Sequence, residues 1–337
     1  MRNILKTQPS LRSFGVPLLL FGIIILVLKS PLMNNSSLLG FAFTVDLVLL
    51  VPFVYFLLIR KTTIPKTTVV PILIIGVLIG SYFLPKEQQD YLTLFKTWIL
   101  PLVELSVITI IILKVRKAIH SFKSVKGLSP DFFHTLQNAC TEIIPQKLIK
   151  PFATEIAVFY YGFINWKTKP LAENEFSHHK NSGSLALFGV IILIIFGESI
   201  ALHFLLTSWN NTVAWVLTGL SLYTLFQIFG FARSLPKRPI SITTNSIILK
   251  YGIINEVEIR FSEIDQIEYS SKSLNEDKLT KTLSPLGEME DHNVIIHLKS
   301  LHQLSGLYGT KKNFQDIGFF VDEPLTFKAK MEKMIPS

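Results

Sequence analysis

Residues 184–231 read SLALFGVIILIIFGESIALHFLLTSWNNTVAWVLTGLSLYTLFQIFGF, and Glu198 is the one carboxylate in them. Two apolar runs lie here, Ser184–Leu206 and Asn211–Phe231, joined by the uncharged Thr207–Asn210. Each reaches the roughly 20 residues that a helix needs to cross a bilayer. Arg233, Lys237 and Arg238 follow, and after Pro239 the pattern changes: PISITTNSIILKYGIINEVEIRFSEIDQIEYSS alternates polar with apolar residues in short β-branched runs. Asn245-Ser246 and Gly252 mark turns between those runs. This junction sets the fold class: an α-helical integral membrane bundle followed by a small α+β domain.

Upstream, four more apolar runs stand out: Phe14–Leu28 (slightly short), Leu38–Ile59, Thr67–Leu84 and Thr97–Leu113. Composition agrees: 49% of the 337 residues are hydrophobic and 17% are charged, against roughly 25% charged in soluble domains. Pro17, Pro52, Pro71, Gly76 and Pro101 fall inside runs, which membrane helices tolerate when neighbours satisfy the freed backbone groups. No small-x-small cleavage site follows the first run, so it is expected to stay as an anchor.

Basic residues orient the spans. Arg2, Lys6 and Arg12 precede the first, and the first loop has only Lys29. The second loop has Arg60, Lys61 and Lys66. In the third, Lys86 and Lys96 are offset by Glu87 and Asp90. The fourth opens with Lys114, Arg116, Lys117, Lys123 and Lys126. Rich and poor loops alternate, which places both termini in the cytosol and Trp98, Trp209 and Trp215 near outer span ends. The expected division is a transmembrane domain over 1–235 and a cytosolic domain over 236–337, in the cytoplasmic membrane. The formal net charge of +9 then faces anionic lipid. Membrane lipids are the expected partners, together with a protein partner of the C-terminal domain. No basic stripe interleaved with aromatics points to nucleic acid.

In the long loop between the fourth and fifth spans, Ser129-Pro130-Asp131 reads as a helix start. Pro151–Trp166, PFATEIAVFYYGFINW, is too short for a span. Residues 129–166 are therefore expected to form interfacial helices on the cytosolic side. In the C-terminal domain, a strand is expected at Asn293–Leu298 and a short one around Gly306–Tyr308. Ser271–Leu286 is expected to be a polar loop. Phe327, Met331 and Met334 predict a closing helix within Asp322–Ile335. The single cysteine, Cys140, forms no internal disulfide and reads as a packed thiol.

Ionisable residues inside spans are costly and mark candidate sites. Asp46, Glu104, Glu198 and His203 are such residues, and they have two readings. One is a bound cation or metal. The other is protonated carboxylates hydrogen-bonded between helices. A second candidate metal cluster lies in the cytosolic loop: Glu155, His178 and His179, with Tyr160, Tyr161, His134 and Glu142 nearby in sequence. Adjacent histidines point apart, so the bland alternative is an aromatic interfacial helix and a polar lead into span five. Catalytic residues and cofactors are otherwise unknown: no Walker loop, dinucleotide fingerprint, CxxC, HExxH or nucleophile elbow occurs.

The strand order, IILKYG (Ile247–Gly252), FSEIDQI (Phe261–Ile267) and DEPLTF (Asp322–Phe327) resemble bacterial pleckstrin-homology-like domains that follow membrane helices. The whole chain also resembles a Bacteroidetes-type membrane protein family often labelled β-carotene 15,15′-monooxygenase. That resemblance rests on EIAVFYYGFINWK (Glu155–Lys167), FSHHKNSG (Phe176–Gly183), GESIALH (Gly197–His203), LSPLG (Leu283–Gly287) and GLYGTKK (Gly306–Lys312). The label implies oxidative cleavage of a carotenoid at a histidine-held non-haem iron. Of the eight histidines, His203 alone falls inside an expected span. Three functions follow as expectations: a scaffold or regulator acting through the C-terminal domain, a membrane oxygenase using iron or zinc on a lipophilic substrate, and a small cation-coupled transporter.

Overall fold

A computed structural model describes residues 9–30, 37–62, 64–123, 131–141, 144–167, 170–271 and 279–334. The chain forms two compact units: one holds 1–130 with 134–149, the other 131–133 with 150–337.

The first unit is helical. Helix α1 covers Pro9–Leu28, and α2 (Ser37–Val45) continues through a π turn (Asp46–Leu50) into α3 (Val51–Ile59). After α4 (Val69–Phe83), the short α5 (Asp90–Leu94) continues through a second π turn (Phe95–Ile99) into α6 (Leu100–Lys123). Both π turns come just before a proline, Pro52 or Pro101. Proline has no N–H and its ring clashes with the carbonyl four residues back, and a wider turn relieves both. The core gathers Leu47, Val48, Val51, Leu92 and Phe95. Gly76 lets α4 approach the backbone there, since a Cβ would stand 2.1 Å from the Leu47 carbonyl oxygen. Cys140, in α7 (Phe132–Cys140), is buried, and burial pushes its thiol up to about 11.

Helix α8 (Gln146–Phe159), which lies in the second unit from Lys150 onward, ends in a π turn (Tyr160–Ile164). Helices α9 (Ser184–Thr207) and α10 (Asn211–Ser234) form a hairpin. Asn210 caps α10 by accepting from the Thr212 and Val213 amides at 2.9 and 3.2 Å. The end of α8 and the residues after it pack on α10: Val158 meets Gly230, Phe163 meets Phe226 and Phe229, and Trp166 meets Arg233.

Eight strands form one mixed sheet: β1 (Glu175–Phe176), β2 (Ile240–Ile242), β3 (Ser246–Tyr251), β4 (Asn255–Arg260), β5 (Ile264–Glu268), β6 (Thr280–Thr282), β7 (Val294–Ser305) and β8 (Lys311–Phe319). Their order is β1-β2-β3-β4-β7-β8-β6, with β5 also on β7. Strand β6 pairs parallel to β8, and the other pairs are antiparallel. Register shifts within β7, between His297 and His302, when its pairing to β8 is followed. One end of β7 pairs with β5 and the other with β4. Helix α11 (Pro324–Met334) closes the sheet through buried Phe327 and Met331.

Among the described residues, five stretches are long and apolar enough to cross a membrane: Leu39–Ile59, Lys66–Phe83, Asp90–Ile110, Ser184–Thr207 and Asn211–Lys237. Arg12–Leu28 is the shorter sixth. The helix expected from Thr97 instead starts at Asp90. Lys96 stays within it because its ammonium donates to Ser81 Oγ at 3.2 Å. The helices expected over 129–166 are α7 and α8, the second starting at Gln146, ahead of the expected Pro151. Asp131 caps α7, accepting from the Phe133 amide at 3.0 Å, while Ser129 and Pro130 lie outside the described residues. The strand expected at Gly306–Tyr308 is a 3-10 turn (Leu307–Gly309), and the strand itself is β8. Tyr308 at φ 55° and Gly309 at φ 84° adopt left-handed backbone that no strand permits. Within the expected loop Ser271–Leu286, residues 272–278 lie outside the described residues, and β6 follows them.

Replacing Gly76 with alanine should lower stability by ~1–3 kcal/mol through forced overpacking, read from thermal melting in detergent. Gly189→Ala, where a Cβ meets nothing within 4 Å, should leave the melting temperature unchanged.

Candidate functional site

Three polar clusters in the second unit tie its helices to the sheet. The first centres on Arg238, which follows α10 and is 2% exposed. Its Nε donates to Asp131 Oδ2 at 2.9 Å and its Nη2 to Glu256 Oε2 at 2.7 Å. Nη1 donates to the Gly252 carbonyl, and Phe133 lies 5.0 Å beneath the guanidinium. Burial alone would favour loss of the charge. The Asp131 and Glu256 carboxylates outweigh it and raise the group's proton affinity above its ordinary value.

The second cluster centres on Glu155. Its Oε2 accepts from Tyr223 at 2.7 Å and Gln227 at 2.6 Å, both on α10. Its Oε1 accepts from Tyr308 at 2.9 Å. The carboxylate thereby holds the strained turn before β8 against α8 and α10.

The third cluster encloses a cavity of about 10 Å³, room for one water. His178, Tyr251, Ser284, Glu290 and His292 line it. Glu290 is 5% exposed and accepts from three hydroxyls, those of Tyr251, Ser284 and Ser184. Because Ser184 opens α9, the sheet grips the first turn of the hairpin. Asp322 adds to that grip: its Oδ1 accepts from the Lys180 amide at 3.1 Å and the Asn181 amide at 2.8 Å. Burial would raise this carboxyl, but hydrogen bonds from Ser177, Asn181 and Lys180 outweigh it and hold it below its ordinary value.

His178 is 1% exposed. Burial, then the neighbouring His179 ring, lowers it to about 4, against a bond to the Arg238 backbone and the charge of Asp322. The ring is neutral at pH 7. Its Nε2 has no hydrogen-bond partner among the described residues, and neither does His292 Nε2. The cavity can thus hold one polar group between two imidazole rings and hydroxyls.

The candidates Glu155, His178 and His179 separate. Glu155 joins the α10 cluster, His178 lines the cavity, and His179 is half-exposed with its ring 6.0 Å from that of His178. Asp46 is half-buried at the start of the first π turn, and Glu104 is exposed on α6. Glu198 is exposed on α9, while His203 Nδ1 bonds Thr218 Oγ1 of α10 at 2.8 Å. Among the described residues, no group of three metal donors within 4.8 Å includes any of these seven. Their arrangement does not fit an iron or zinc ion. Tyr160 stacks on Phe132 at 3.6 Å, Tyr161 is buried and His134 is exposed. Glu142 lies outside the described residues.

Sequence reasoning missed Arg238, Glu290, Tyr251, His292, Tyr223 and Gln227. His178 thus lies beside Leu283 and Ser284 at the cavity, and Glu155 meets Tyr308.

The unfolded His178 ring takes its proton near pH 6.5, the folded ring only near about 4. Between those values the unfolded chain binds more protons, so stability falls as pH drops, by up to ~3 kcal/mol from this ring. Denaturant unfolding from pH 7 to 4 should show that slope, and His178→Asn should flatten most of it. His179, lowered by burial, contributes with the same sign. Asp322 titrates below this window.

Comparison with protein-family models, curated proteins and solved structures finds no match to this chain.

Proposed function

We propose that the chain is an integral protein of the cytoplasmic membrane, with both termini in the cytosol, that acts as a scaffold or regulator rather than an enzyme. Five long apolar helices support the membrane reading, as do the alternating loop charges. Exposed apolar side chains on the hairpin, such as Leu193 and Phe204, agree. Residues 236–337 are read as a pleckstrin-homology-like domain, supported by the strand succession and the α11 helix closing on it.

One observation carries the functional reading: the C-terminal domain holds both ends of the α9–α10 hairpin through buried polar side chains. Glu290 grips Ser184 at one end, and Arg238 sits just beyond the other. A partner bound to such a domain is coupled to the hairpin with little freedom to swivel. The oxygenase and transporter readings have no comparable support, since their candidate donors do not converge.

The test uses the full chain in its native membrane with a photoreactive residue at exposed Leu301 or Leu325. Resistance to alkaline extraction and a discrete cross-linked protein at one of these positions are expected. No discrete product at either, together with near-stoichiometric iron or zinc lost in a Glu155→Ala/His178→Ala/His179→Ala variant, would replace this reading with the oxygenase.

A further inference from the structure

Strand β7 carries two histidines beside carboxylates, His297 and His302, one on each side of its shift in register. His302 Nε2 lies 3.1 Å from Glu263 Oε2, a closed hydrogen bond. His297 is different. Its Nδ1 is bonded to Asp316 Oδ1 at 2.8 Å, while its Nε2 lies 3.6 Å from Glu268 Oε2. That gap is wider than a nitrogen–oxygen hydrogen bond, which reaches about 3.2 Å. A carboxylate such as Asp316 only accepts, so Nδ1 carries the proton and Nε2 of the neutral ring presents its lone pair. Two acceptors thus face each other across the gap, and a cation between them satisfies both.

The strands set this spacing. His297 stands opposite Gln266 of β5 and opposite Asp316 of β8. Alternation along β5 puts Glu268 on the same face as Gln266, and so beside His297. Thr280 of β6, paired with Asp316, donates to its Oδ2 at 3.4 Å. Four strands therefore hold one polar row, and the row reaches solvent: side-chain exposure is 33% at His297, 46% at Glu268 and 31% at Asp316. Two ligand atoms about 2.1 Å from one zinc ion, at the tetrahedral angle, stand ~3.4 Å apart. The 3.6 Å between Nε2 and Oε2 is close to that. A carboxylate on the far ring nitrogen is also the usual companion of a zinc-bound imidazole, where it fixes the tautomer and the ring orientation.

We propose that His297 Nε2 and Glu268 Oε2 bind a zinc ion at this solvent-exposed row, with Asp316 orienting the imidazole and water completing the coordination. Imidazole with carboxylate suits zinc, whereas magnesium takes oxygen ligands. None of the three residues lines the cavity at His178, and the site does not depend on the membrane reading.

The experiment uses the full chain in detergent, stripped with a chelator and then given zinc chloride or magnesium chloride. Modification of each histidine by diethylpyrocarbonate is followed by mass spectrometry. Zinc in ~tenfold excess over its Kd should slow modification of His297 about tenfold, by mass action. Magnesium should not, and zinc should leave the rate at His302 unchanged, since Glu263 already engages its Nε2. Glu268→Gln should raise the zinc needed for the same protection about tenfold or more, and Asp316→Asn about tenfold. Thermal melting without zinc checks that each variant folds, and Glu268→Gln, at the most exposed of the three positions, carries the test if Asp316→Asn does not. No protection of His297 by zinc, equal protection by magnesium, equal protection of His302, or an unchanged zinc requirement in folded Glu268→Gln would each overturn the proposal.

Discussion

A buried guanidinium that may not be left unpaired governs how the second unit is assembled. Arg238 sits just past α10, and three parts of the chain converge on it: Asp131 and Phe133 at the start of α7, Gly252 in the β3–β4 turn, and Glu256 in β4. Removing one partner of such a pair strands the other charge in low dielectric at ~3–5 kcal/mol. Replacing the whole set with apolar residues could be neutral, so its effect is less to add stability than to fix one arrangement. With Arg238 at the end of the hairpin and Glu290 at its start, the sheet has two points of attachment.

The architecture was legible wherever one short-range pattern dominates. The hairpin follows from uninterrupted hydropathy, strands β2 to β5 from alternation around Gly252, and α11 from the spacing of Phe327 and Met331. The misreadings share a cause: the stabilising partner lies far away in the chain. Strand β1 is two residues long and exists because β2 pairs with it. Strand β8 begins Lys-Lys-Asn, without an apolar stripe, and is set by its register with β7. Arg238 read as one more orienting charge beside Arg233 and Lys237. Nothing local to these three residues separates the one enclosed by carboxylates from the others.

Candidate site residues were legible as chemistry but not as groupings. His178 and His179 diverge as adjacent side chains must, one into the core and one to its rim. Glu155 reads as a metal ligand by residue type, yet two tyrosines and a glutamine use its oxygens. Glu290 lies in a polar stretch with other acids, and its burial depends on hydroxyls from Ser184 and Tyr251. Hydrogen-bond saturation is a property of the folded neighbourhood, and neither spacing nor composition encodes it.

The clamp at Asp322 also bears on the order in which the protein is made. The amide of Asn181 finds its acceptor 141 residues later, and the hydroxyl of Ser184 finds Glu290 106 residues later. A chain synthesised from its N-terminus completes α9 and α10 long before either carboxylate leaves the ribosome. During that interval the polar lead into α9 has only water and the nascent chain to satisfy it. The hairpin is thus in place before the sheet closes around its base, and α11, made after the strands, closes on them.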